Sequence, residues 1–134
     1  LKGIINRNKL TDAWKSAGIT EGYEFGVLTN EIYKEWSGMT AKEYKGFKGL
    51  RKESLRDNMS DIEVALTDLG EIATRELVKE HKPHGLKENK EIAKAGGNVA
   101  KVAKDNLEEK LGKSIVSNQN KLNYKYMDDS KLIE

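Results

Sequence analysis

Few residues in this chain could do chemistry. His81 and His84 bracket Lys82 and Pro83 in the tetrapeptide HKPH and are its only two histidines. As metal ligands they need further donors, but the chain has no cysteine and the neighbouring acids lack ligand spacing, so they read as loop residues. One of them would also have to be the imidazole of any Ser-His-Asp triad, and no G-x-S-x-G turn accompanies them. Adjacent acids such as Glu108 and Glu109, or Asp128 and Asp129, read as solvated carboxylates. Gly96 and Gly97 precede a helical pattern and could seat a phosphate on free amides, but no Walker or G-x-G-x-x-G pattern supports that. They read as a helix-breaking hinge. No catalytic set, metal or cofactor is expected, and the chain reads as non-enzymatic.

The basic residues carry more information. On one continuous helix over 45–56, Lys45, Lys48, Lys52 and Arg56 recur at 3, 4 and 4 residues on one face, with Lys42 and Arg51 nearby. Such a stripe can contact phosphates, which makes Lys45, Lys48, Arg51, Lys52 and Arg56 the candidate nucleic-acid or partner-binding residues. Against it, Glu43, Glu53 and Asp57 are interspersed as on a solvated face, and Gly46 and Gly49 weaken the helix. A second candidate row is Lys87, Lys90, Lys94, Lys101 and Lys104. Tyr23, Phe25, Trp36, Tyr44 and Phe47 could form a base-stacking platform, but aromatics at helical spacing more often fill a core, the reading taken for Trp36 and Tyr44.

The elements that must position these residues are helical. Leu10, Ala13, Trp14 and Ala17 predict a helix stopped at Gly18, and Ile32, Tyr33 and Trp36 after Asn30 predict a second one closed by Gly38. Thr40 to Glu43 and Ser60 to Glu63 are two capping boxes. The first opens a short helix that breaks near Gly46 and Gly49, before a further turn between Arg51 and Asp57. The second opens a helix from Asp61 to Glu80, the expected spine. Its apolar stripe is Ile62, Leu66, Leu69, Ala73 and Leu77, and its other side carries Asp68, Glu71, Arg75 and Lys79, with Glu71 and Arg75 in the favourable i,i+4 order. Pro83 ends it. Leu86 to Ala95, then Asn98 to Leu111 closed by Gly112, complete the helices.

The expected architecture is all-α, a compact or elongated bundle of five to six short helices over 1–113, with an irregular tail or arm over 114–134. At 134 residues one core is expected. Net charge is only +2, yet the signs segregate: residues 31–59 carry net +2, 60–80 net −4 and 81–113 net +3. The absence of cysteine suits a reducing compartment, and no apolar run reaches membrane-spanning length, so a cytoplasmic protein without membrane contact is expected. A start at Leu1 suggests a piece of a longer protein.

Taken in order, Lys48-Gly49-Leu50, Asp57, Met59, Glu63, Thr74 to Leu77, Gly85-Leu86 and the closing Leu111-Gly112 resemble the C-terminal half of the bacterial DNA-damage-inducible protein D family. The likeness runs from about Ala13 to Gly112 and rests on a helical pattern, without the antirepressor-like N-terminal domain of that family. It implies a non-enzymatic accessory factor of the SOS response that modulates the RecA recombinase on single-stranded DNA, with the filament or that DNA as partner. The alternative is a phage antirepressor-like regulatory protein whose helical domain forms homodimers or other protein contacts.

Overall fold

A computed structural model describes residues 2–121. It contains α1 (Lys2–Ser16), α2 (Gly22–Ser37), α3 (Ala41–Phe47), a 3-10 turn (Arg56–Asn58), α4 (Asp61–His81) and α5 (Gly85–Leu111), and no strand among the described residues. The fold is all-α. α4 is its spine, packing against α1, α2 and α5, while α5 also lies along α2.

Local chemistry sets most helix ends. Thr40 and Ser60 each accept from the amide of the third helical residue, Glu43 or Glu63, whose carboxylate accepts the cap amide in return, so both capping boxes form. Gly38 and Gly112 close α2 and α5 in the left-handed conformation, at φ 82° and 72°. Asn30 does not cap α2, which begins earlier at its own box of Glu21 and Glu24. Asn30 sits within that helix and its Oδ1 accepts from the Ala41 amide, 3.0 Å away, at the start of α3.

Two expectations change with the packing. Gly96 and Gly97 do not break the chain: α5 runs unbroken through them. A Cβ on Gly96 would lie 2.8 Å from Thr74 Cα on α4, and one on Gly97 would lie 2.8 Å from the Ile32 carbonyl on α2. The glycines let three helix backbones approach, and that packing outweighs the propensity cost of about 1 kcal/mol for each glycine.

The buried face of α4 is also displaced from its apolar stripe. Glu63, Thr67, Gly70, Thr74 and Val78 are buried; of the predicted stripe Leu66 is buried, whereas Ile62 is exposed and Leu69, Ala73 and Leu77 are only half-buried. The displacement is one residue along the sequence. α4 is surrounded on several sides, so small side chains are required where neighbouring backbones come closest, and the hydroxyls of Thr67 and Thr74 are satisfied by the carbonyls of Glu63 and Gly70.

Trp14, Trp36 and Tyr44 are fully buried, and Tyr33, Trp36 and Tyr44 form a ring cluster with centroids 5.9–6.4 Å apart. Phe47 and Tyr23 are exposed. The segment after Lys113 lies along the helices over residues 115–121: Ile115 is buried and Asn120 donates to the Lys48 carbonyl at 2.7 Å.

Candidate partner-binding surfaces

The continuous helix required by the 45–56 stripe does not form. α3 ends at Phe47, Gly49 takes φ +72°, and residues 51–55 form no helix before the 3-10 turn. The five candidate residues therefore separate. Arg51 and Lys52 are exposed on the loop and Lys45 is half-buried on α3. Arg56 makes a partly buried ion pair with Asp68 on α4.

Lys48 points into the core. Its side chain is 0% exposed, with Nζ 2.9 Å from Glu63 Oε1, 2.7 Å from the Gln119 carbonyl and 5.6 Å from the centre of the Tyr44 ring. Glu63 is equally enclosed and accepts from the Lys48 ammonium, the Ser60 amide, the Tyr44 hydroxyl and the Ser117 amide. A buried carboxylate with four donors, one of them a cation, is fully satisfied. Burial, and then the hydrogen bond to Glu63, push the Tyr44 hydroxyl far above its ordinary pKa. The cluster is structural, joining α3, α4 and the 115–121 segment. Local spacing disclosed the Ser60–Glu63 cap, but Lys48 is 15 residues from Glu63 and 71 from Gln119, too far for any local pattern to have paired them.

A second cluster joins α1 to α2 and α4. Arg7 donates to Glu71 Oε1 at 2.9 Å and to Thr29 Oγ1, with its guanidinium carbon 5.4 Å from the centre of the Trp14 ring. Glu71 thus pairs across the helices and not with Arg75, as its spacing had predicted, because α1 covers that side of α4. Arg7, Arg56, Tyr33 and Glu71 border a recess of about 310 Å³. Burial, then the Glu71 charge, push the Tyr33 hydroxyl up to about 12.

Burial likewise raises the Glu71 carboxyl above the usual 4.5, outweighing the opposing pull of Arg7. Between its unfolded and folded values the folded state holds more protons than the unfolded one, so this group's contribution to stability falls as pH rises above about 4.5. Glu71→Gln removes that term. Urea denaturation across a pH series is expected to show the variant gaining stability relative to the parent chain through this window, and a pH-independent difference would contradict it.

The second lysine row survives folding. Lys87, Lys90, Lys94 and Lys101 are exposed on α5, at spacings of 3, 4 and 7 residues that keep them on one side of an unbroken helix. They extend over about 21 Å. Lys90 makes a long contact, 3.9 Å, to Glu31 on α2. Lys104 is half-buried and turned to Asp105 and Glu108.

His81 and His84 are exposed, and among the described residues no group of three or more His, Asp or Glu is placed to hold a metal. No helix among the described residues is long and apolar enough to cross a membrane.

The order of capping boxes, closing glycines and core positions can be set against known families. A family model described as the DinD C-terminal domain matches residues 3–127. The chain belongs to this family. The match runs from Gly3 in α1 through the five helices of the described residues and continues through the docked segment 115–121. No curated protein and no solved structure matches the chain. Family membership carries the DNA-damage-inducible assignment, and the residue pattern from Lys48 to Gly112 that resembled the family maps onto α3 to α5 and their caps.

Proposed function

We propose that this chain is a non-enzymatic accessory factor of the bacterial SOS response, acting on the RecA recombinase while that protein is assembled on single-stranded DNA. The observation that supports the reading is the DinD C-terminal family match over residues 3–127. The exposed α5 row of Lys87, Lys90, Lys94 and Lys101 gives it a contact surface, since lysines along a straight helix can meet the phosphates or acidic side chains of a nucleoprotein filament. In this reading α5 replaces the loop after α3 as the contact element.

The test is RecA-catalysed strand exchange on preformed filaments, with the 134-residue chain added at increasing concentration. Slower exchange is expected, together with filament binding that weakens as salt rises. The triple variant Lys87→Glu, Lys94→Glu, Lys101→Glu is expected to lose most of that binding while keeping its helical circular dichroism. If exchange is unaffected at saturating chain, the reading fails. A stable dimer by light scattering without filament affinity would favour the antirepressor-like alternative.

A further inference from the structure

We propose that the cleft between α1 and the C-terminal half of α4, bordered by the turn leading into α5, is an anion site that takes the phosphate of a nucleotide, free or within a nucleic-acid strand. The cleft holds about 700 Å³, the size of a small-molecule site. Four cations line it: Lys9 from α1, Arg75 and Lys79 from α4, and Lys82 from the turn. The one carboxylate in the lining is Asp12. Among the described residues Lys9 and Lys82 have no ion-pair partner, while Arg75 and Lys79 both reach only the exposed Glu76, at 3.8 and 3.7 Å.

Arg75 decides the chemistry. Its side chain is 14% exposed, and its Nε and Nη1 are shielded from solvent with no hydrogen-bond partner among the described residues. Shielded guanidinium donors without acceptors are costly, and they are uncommon in folded proteins. Helix-dipole complementarity accounts for Lys79 and Lys82 at the end of α4, but Arg75 lies further back and its two unpartnered nitrogens need an acceptor.

A rotation of the guanidinium about its last torsions presents that edge to the cleft, where a phosphate, with several acceptor oxygens in fork-like geometry, satisfies both donors. Buried Val78 and Pro83 supply an apolar wall on which a sugar or base can rest. The site shares no residue with the α5 lysine row, so it can be present or absent independently of the recombinase reading.

The experiment is a ¹H–¹⁵N NMR titration of the 134-residue chain with inorganic phosphate, thymidine 5′-monophosphate and an oligothymidylate. Saturable shifts of the Arg75 side-chain Nε–H signal and of the Lys79 and Lys82 amides are expected. The nucleotide or the oligomer should bind more tightly than phosphate alone: tighter oligomer binding identifies a strand, tighter monophosphate binding a free nucleotide. Arg75→Gln is expected to weaken binding about tenfold or more. For inorganic phosphate and thymidine 5′-monophosphate, followed at the Arg75 Nε–H, the α5 triple Glu variant should stay within about twofold of the parent chain, as expected for surface charges outside the site.

Should Arg75→Gln fail to fold by circular dichroism, Lys79→Gln with Lys82→Gln replaces it, with the same loss expected. Absence of saturable shifts, equal affinity for phosphate and both nucleotides, or loss confined to the α5 variant would each overturn the assignment.

Discussion

Replacing Lys48 by Met is expected to destabilise the protein by about 3–5 kcal/mol, the cost of leaving a buried carboxylate without its cation. Glu63 would keep the Ser60 amide, the Tyr44 hydroxyl and the Ser117 amide, none of which carries a full charge. Domains of this size are stable by about 5–15 kcal/mol, so the loss is a large share of the total and should appear as a much lower urea midpoint.

The same substitution removes the ammonium that donates to the Gln119 carbonyl, so the segment over residues 115–121 should loosen. Limited trypsin digestion is expected to cut faster after Lys113 and Lys121. Adding Glu63→Gln to Lys48→Met removes the stranded charge while its one amide oxygen keeps an acceptor for the Ser60 cap amide, and should recover part of the loss. A change under about 1 kcal/mol with unaltered digestion would show that the pair is not the anchor described here.

Gly96→Ala is the second large effect. Alanine is the better helix former by about 1 kcal/mol, so propensity alone predicts a gain. The fold predicts a loss, because the added Cβ falls 2.8 Å from both Cα and Cβ of Thr74, and backbone on α4 cannot yield as the end of a flexible side chain can. Forcing two central helices apart costs about 2–3 kcal/mol net.

Gly26→Ala in α2 is the control, since its Cβ would meet nothing within 4 Å and should stabilise by about 0.5–1 kcal/mol. Thermal unfolding of the two variants should therefore shift in opposite directions. Equal midpoints would contradict a close α4–α5 crossing at Gly96.

Both predictions turn on residues that one-dimensional reading interpreted differently. Lys48 counted as a member of a phosphate-binding row, and Gly96 as part of a hinge. Helical spacing ranks residues by which face they share, and it carries no information on whether a neighbouring element will cover that face. In α3 the helix was too short for the spacing to apply at all, since it ends at Phe47 and Gly49 turns the chain at φ +72°. Arg75 shows the same limit: its expected partner Glu71 is held by Arg7, from an element 64 residues away in sequence.

What the sequence determined by itself is the local grammar and the family. Thr40 with Glu43, Ser60 with Glu63, and the closing glycines 38 and 112 specify helix ends through hydrogen bonds made within a few residues, so these ends needed no knowledge of the fold. The all-α class and the DinD C-terminal pattern follow from the same short-range information. Only the tertiary structure decided which charges are spent inside. Burial makes Lys48 and Glu63 a structural pair, close packing makes Gly96 and Gly97 a helix crossing, and shielding beside the α1–α4 cleft leaves Arg75 Nε and Nη1 without a partner among the described residues. Each depends on residues distant in sequence meeting at low dielectric or at backbone contact, where desolvation and excluded volume outweigh local preference.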